Sequence, residues 1–249
     1  MVRALTIVLL GFFLGMRHAT DPDHVIAVTT IVSRQSTISS AMLIGAAWGV
    51  GHTVAIVFIG GAIVLFGLVI PPRLGLALEL AVALMLILLG ILTLTGVMRW
   101  IQDSLATPKH MHLSGHHYSA RLHSNLGDEL GPRGHERWTR LGGYQIVRPL
   151  LVGVVHGMAG SAPIALLVLG TIPNPVWATV YLLIFGTGTI AGMILVTVAI
   201  GTPFAYTATH LVRFNRYLVV ASGVLSLGAG LFLIYQIGFV DGLFTSRPR

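Results

Sequence analysis

Residues 4–32 read ALTIVLLGFFLGMRHATDPDHVIAVTTIV, an apolar run long enough to cross a bilayer that carries Arg17-His18-Ala19-Thr20-Asp21-Pro22-Asp23-His24 in its middle. A hydrocarbon core about 30 Å thick takes roughly 20 helical residues. Ionisable groups inside such a span cost several kcal/mol unless they pair, face a cavity or bind something. Pro22 decides the local geometry: it has no N–H for the carbonyl of His18 four residues back, and its ring pushes Asp21 out of the helical region. The stretch therefore predicts a break between His18 and Asp23, with the His18 carbonyl outside the helix ladder. Asp21 then becomes the N-cap and Pro22 the first residue of a second half-helix. On an unbroken helix His18 and His24 would diverge by about 120°, too far to chelate one ion. Carbonyls ending the first half favour a cation, and Asp21 and Asp23 offset the positive N-terminus of the second.

The rest of the chain belongs in the same solvent. Its 249 residues are 55% hydrophobic and 9% charged, with a mean hydropathy of +0.86, against about 25% charged in globular proteins. Eight acidic and 15 basic residues cannot cover a water-exposed surface. There is no cysteine, which excludes disulfides, thiolate metal sites, iron–sulfur clusters and cysteine nucleophiles and leaves His and Asp as metal ligands. The net charge of +7 does not indicate nucleic acid as a partner, because the basic residues lie between apolar runs instead of forming a patch with interleaved aromatics.

Six segments have spanning length: approximately Ala4 to Val32, Ile38 to Ile70, Leu74 to Met98, Ile146 to Leu169, Val176 to Ile200 and Tyr217 to Val240. The first two are longer than a straight span needs and are expected to be tilted, broken or extended. Met1-Val2-Arg3 before the first run imitates a signal peptide, but no A-x-A-like cleavage site follows. Arg34, Arg99, Lys109, Arg121, Arg133, Arg137, Arg140, Arg148, Arg213 and Arg216 fall on one side of the spans, and Arg3, Arg73, Arg247 and Arg249 on the other. The positive-inside rule then puts both termini outside and the long connection in the cytoplasm of a bacterial-type inner membrane.

An internal repeat is also readable. Gly15-Met16-Arg17-His18 aligns with Gly153-Val154-Val155-His156, Ile26-Ala27 with Ile164-Ala165, Gly49-Val50-Gly51 with Gly186-Thr187-Gly188, and Gly90 with Gly228. Three spans per repeat, an odd number, makes the two halves opposite in orientation, an arrangement that places transport sites near the midplane. The fold class expected is an all-α polytopic membrane protein of six transmembrane helices in two inverted three-helix repeats, residues 1–99 and 146–249, joined by a His-rich cytoplasmic loop over residues 100–145. Gly45 and Gly49, like Gly188 and Gly192, have the spacing of close helix packing. Glu79, near the end of the third span, reads as snorkelling or pairing with Arg73.

Imidazole nitrogen with carboxylate oxygen and no sulfur suits Ni(II), Co(II), Zn(II) or Cu(II) better than Mg(II) or Cu(I). His18 with four residues to Asp23-His24, preceded by Arg17, resembles the H-x4-D-H signature of the nickel/cobalt transporter family. Gly51-His52-Thr53 is similar to that family's Gly-His-Ser/Thr motif on the next span, and the stretch from Gly153 to Pro163 resembles members described as urease-accessory nickel permeases. The resemblance implies metal binding by His18, Asp23 and His24 with His52 as a fourth ligand, the metal being the transported substrate and not a resident cofactor. It covers the six apolar segments. Pro22 departs from the family's usual alanine, and the second half lacks the acidic, threonine-rich signature of the classical importers, so import and export both fit.

Asp21 is a candidate for neutralising charge beside the ligands, and His156, the repeat mate of His18, for a ligand or gate. In the second half Ser161, Ala162 and Pro163 stand where the first has its carboxylates. His110, His112, His116, His117 and His123 in the long connection could capture metal at the cytoplasmic mouth, or belong to an ordinary polar linker. An enzyme is disfavoured: His112-x3-His116-His117 is a single histidine box, and H-E-x-x-H, G-x-S-x-G and Walker A motifs are absent. An anion exporter fits the positive charge but not the acids in the first span, and an accessory membrane subunit of similar topology is the remaining alternative. The partners expected are the lipid bilayer and a divalent metal ion; the sequence carries no signal for a particular oligomeric state.

Overall fold

A computed structural model describes residues 2–35, 37–67, 71–96, 143–159 and 171–244. The described residues are helical throughout, as α1 (Val2–His18), α2 (Pro22–Val32), α3 (Ile38–Phe66), α4 (Pro72–Thr95), α5 (Gly143–Met158), α6 (Pro175–His210) and α7 (Val212–Tyr235), the last continuing into a π-helical turn at Gln236–Val240. Among the described residues four helices are long and apolar enough to cross a membrane: α3, α4, α6 and the combined Val212–Val240. Leu5–His18, Pro22–Val32 and Ile146–Met158 are shorter apolar helices. Large side chains such as Phe58, Leu65, Phe66, Val176 and Phe232 are exposed, and only a bilayer is a good solvent for so apolar a surface. The chain is an integral membrane protein. His110, His112, His116, His117 and His123 lie outside the described residues, as do Ser161, Ala162, Pro163 and Ile164-Ala165.

The first apolar segment is broken. α1 stops at His18, α2 starts at Pro22, and Asp21 between them has extended backbone angles. The His18 carbonyl accepts from the Asp21 N–H at 3.1 Å, a tight turn in place of the bond that Pro22 cannot make. Other helix ends follow local chemistry. Thr37 accepts from the Ser40 N–H at the start of α3, Gly67 and Gly96 close α3 and α4 in left-handed conformation, and Asn174 caps α6 with Pro175 behind it.

Helix limits differ from expectation in the second half. α5 begins at Gly143, inside the stretch assigned to the loop, and α6 continues past Ile200 to His210. Thr202, Thr207 and Thr209 return their hydroxyls to the carbonyls of Val198, Pro203 and Tyr206 at 2.7, 2.8 and 2.9 Å, so polar residues lengthen this helix without interrupting its ladder. α7 begins at Val212 and not at Tyr217, which leaves Leu211 alone at the corner.

Glycines set the packing of α1, α3, α5 and α6. A Cβ at Gly15 would overlap the Phe185 carbonyl, and one at Gly188 the Phe12 carbonyl; Gly192 meets Met16 and Ala19 further along. α1 therefore runs beside α6 in the same direction. Gly51 and Gly153 bring Leu150 and Trp48 carbonyls equally close, which sets α5 beside α3, also parallel. Gly45 meets Thr197 while Gly60 meets Leu182, so α3 and α6 are antiparallel. α4 and α7 pair separately, also antiparallel: Gly90 meets Gly223 and Leu227, and Gly230 meets Ala83 and Ile87. The glycine of α7 at this contact is Gly230, whereas Gly228, expected to match Gly90, meets nothing. Ser226 Oγ donates to the Leu86 carbonyl at 2.8 Å and Thr30 Oγ1 to that of Ser222 at 3.3 Å. Arg34 donates to the Thr93 carbonyl. The first of these bonds joins α7 to α4, the second attaches α2 to α7, and the third ties the residues just after α2 to α4. The core between the two groups contains Ala27, Val28, Val32, Trp48, Leu86 and Met193.

Candidate metal centre

The break delivers His18 and His24 to one place from two half-helices. α3 adds His52 and α5 adds His156, and all four imidazoles are buried, His18 at 6% exposure and the others at 0%. Backbone contact at Gly51, Gly153 and Gly157 holds α3 and α5 close enough for this. The ring centroids of His24 and His156 are 4.1 Å apart, those of His18 and His24 4.7 Å, and those of His24 and His52 5.0 Å.

Two carboxylates order the rings. Asp21 does not cap α2 through its side chain; its Oδ2 accepts from His18 Nδ1 at 2.8 Å. That bond places the His18 proton on Nδ1 and turns the Nε2 lone pair inward, where His52 Nε2 lies 2.9 Å away. Asp23 spans two rings, with Oδ1 at 3.2 Å from His24 Nδ1 and Oδ2 at 3.0 Å from His156 Nε2. Its Oδ1 also accepts from the His24 backbone N–H at 3.0 Å. His24 Nε2, His52 Nδ1 and both ring nitrogens of His156 are buried with no well-formed hydrogen bond among the described residues, the approach of Asp23 Oδ2 to His156 Nε2 being close but poorly aligned. Unsatisfied buried nitrogens in such number are uncommon in a packing cluster.

The donor atoms fall into two groups, each within 4.8 Å of one another: His18, His24 and His52, and Asp23, His24 and His156. The four residues expected as ligands are thus neighbours, but Asp23 faces His156 and not His18 or His52. A cavity of about 450 Å³ reaches the cluster from the side of Asp21 and Asp23, with Glu79, Ala159, Phe232 and Ile237 among its walls. Glu79 faces this cavity, and no ion pair joins it to Arg73 among the described residues.

Sequence reasoning passed over two rings. Trp48, 0% exposed, stacks on His24 at 6.2 Å and 22°; its position one helical turn before His52 was the available signal. Phe185 lies 5.6 Å from His18, and nothing in its local sequence marks it. Together the two aromatic rings cover His18 and His24.

No protein-family model matches the chain, and no solved structure does. A curated protein of Bacillus sp. (strain TB-90), the urease accessory protein UreH, is 33% identical over 243 residues, covering 98% of this chain and 96% of its own. At that identity over nearly the whole of both chains, with the H-x4-D-H residues drawn into one buried cluster, the chain belongs to the nickel/cobalt transporter family together with UreH.

Proposed function

We propose that the protein moves a divalent transition-metal cation, Ni(II) or Co(II), across the membrane by alternating access between two inverted halves, without covalent chemistry. The observation that carries this reading is the buried cluster of four imidazoles and Asp23 at the end of a largely apolar cavity that carries Asp21, Asp23 and Glu79. Two nitrogens each about 2.1 Å from one ion and at a right angle to each other are about 3.0 Å apart. The 2.9 Å between His18 Nε2 and His52 Nε2 accords with that spacing. Asp21 and Asp23 would attract the cation and compensate its charge, and His18, His24 and His52 would replace its water. Acids in the cavity argue against an anion as cargo. The kinship with a urease accessory protein favours nickel over cobalt, and that name is not one of a catalyst.

Support for inverted halves comes from reciprocal contacts. Gly15 meets Phe185 and Thr189 as Gly153 meets Trp48 and His52, and Gly188 meets Phe12 as Gly51 meets Leu150. Gly90 meets Gly223 and Leu227 as Gly230 meets Ala83 and Ile87. Exchanging the halves carries each contact onto its mate, and the antiparallel pairing of α3 with α6 and of α4 with α7 gives the exchange its inversion. Six spans in this order keep both termini outside and the His-rich loop in the cytoplasm.

Nickel and cobalt accumulation by whole cells tests the reading. His18→Ala, Asp23→Ala and His24→Ala should each reduce accumulation to that of cells lacking the chain, with the protein still present in the membrane. Normal accumulation by His24→Ala would sink the site. Because the chain has no cysteine, Ser119→Cys and Ser246→Cys each introduce a unique thiol; an impermeant reagent on intact cells should label the second and spare the first.

A further inference from the structure

The two donor groups are not equivalent in access. Asp21 and Asp23 line the cavity, and so does Ala159, one turn beyond His156, whereas none of the four imidazoles does; Asp23 is thus the one donor of either group that faces the cavity. Asp23 is 24% exposed, against 6% for His18 and 0% for His24, His52 and His156, so the carboxylate alone distinguishes the two groups in access. His24 belongs to both groups, and its Nε2 is buried without a partner among the described residues while its Nδ1 lies on Asp23. His156 Nδ1 is likewise buried and unpartnered.

We infer that the cation occupies two successive positions: an outer one on Asp23, His24 and His156, reached from the cavity, and an inner one on His18, His24 and His52, with His24 passing the ion between them. The inference rests on the transport reading above and adds His156 as a ligand. The donor sets differ in kind. A carboxylate oxygen suits an ion that still holds water, and three imidazoles suit one that has lost it and favour the later first-row metals over Mg(II). An ion arriving hydrated from the cavity meets the oxygen-bearing set first, so dehydration proceeds in two steps instead of one. The shared ring limits the cluster to one ion at a time. His24 stands on α2, while His18, His52 and His156 stand on α1, α3 and α5, so a small displacement of α2 against the other helices exchanges one set for the other.

Co(II) binding to the purified full-length chain in detergent tests this, read by affinity and by the visible ligand-field spectrum of the bound ion. Wild type should bind one Co(II) per chain. His156→Gln keeps a side-chain N–H for Asp23 but loses the imidazole; it and His52→Gln should each still bind one Co(II), at least about tenfold more weakly and with spectra that differ from each other. The double variant and His24→Gln should bind none. Wild-type affinity and spectrum in His156→Gln, with binding lost in His24→Gln, would overturn the two-position inference and leave the transport site standing. Wild-type binding in His24→Gln would overturn the site itself. Ala229→Leu, which narrows the cavity away from every ligand, keeps the question open to refutation if His156→Gln does not fold: it should slow Co(II) association about tenfold or more with unchanged affinity, and an unchanged rate would refute access through the outer position.

Discussion

Two groups of helices meet at the histidine cluster, and they differ in the balance of their contacts: glycines bring backbones together in both, at Gly90 and Gly230 as at Gly15 and Gly51, but side-chain bonds to carbonyls between elements are more frequent in the second. In α1, α3, α5 and α6, glycines set backbone against backbone, as where Gly15 meets the Phe185 carbonyl and Gly51 that of Leu150. In α2, α4 and α7 the pairing of α4 with α7 is supplemented by side chains reaching for carbonyls, from Thr30 to Ser222, from Ser226 to Leu86 and from Arg34 to Thr93. The first kind of contact fails abruptly, because a backbone cannot make room for a side chain. The second kind fails gradually, since polar contacts inside membranes contribute on average about 0.6 kcal/mol each. His18, His52 and His156 stand on the first group and Asp23 and His24 on the second, so the cluster senses any movement between them.

Substituting glycines should expose this contrast most strongly. Gly15→Val and Gly51→Val are expected to destabilise the protein by more than about 3 kcal/mol and to remove it from the membrane fraction. Gly228→Val, which meets open space on α7, should leave both the amount and the melting temperature near those of wild type. A stable Gly51→Val protein would break the distinction.

Asp21→Asn comes next. The amide can still accept from His18 Nδ1 but carries no charge, so Co(II) affinity should fall about tenfold without being lost, measured by titration of the purified protein. An unchanged affinity would remove Asp21 from the account.

Replacing His110, His112, His116, His117 and His123 together should change apparent transport affinity or the response to metal load and leave the nickel-to-cobalt preference as it is. Selection rests on a fixed ligand geometry, which the buried cluster supplies, and capture asks less of its ligands. Their contribution should decline as pH falls below about 6.5, since imidazolium cannot ligate. A changed metal preference in flux measurements would move selectivity into the loop. The smallest effect is expected of Ser226→Ala, about 0.6 kcal/mol, or about 1–2 °C in melting temperature; a loss as large as that of Gly51→Val would mean that the two groups do not differ.

The broken first segment was legible because a proline inside an apolar run removes a particular hydrogen bond whatever surrounds it. His18, His24 and His52 were legible as expensive polar groups in apolar helices and as motif residues. The grouping of Asp23 with His156 was not, because it depends on how closely α5 approaches α3, although the match of Gly153 through His156 with Gly15 through His18 already placed a second imidazole at an equivalent point. The ends of α6 and α7 were misjudged for a different reason. Residues 201–216 fell between the fifth and sixth apolar segments, and hydropathy does not register hydroxyls such as those of Thr202, Thr207 and Thr209 that turn back to their own helix. Gly90 was matched with Gly228 at the offset of the earlier repeat pairs, whereas the contact falls at Gly230, two residues further on, a shift that only the contacts across α4 and α7 display.

The corner at Leu211 links the two groups mechanically. α6, 36 residues long, extends about 54 Å at 1.5 Å per residue, well beyond a hydrocarbon core of about 30 Å. It lies in the first group, yet a single residue joins it to α7 in the second. Thr207 Oγ1 stiffens the joint from one side by donating to Asn215 Oδ1 at 3.1 Å. A rod of that length pivoting by about 10° at its centre swings its tip roughly 5 Å, and the start of α7 has no slack to stay behind. A tilt of the end of α6 beyond Pro203 would therefore be carried directly to the start of α7 at the membrane face, far from the imidazoles.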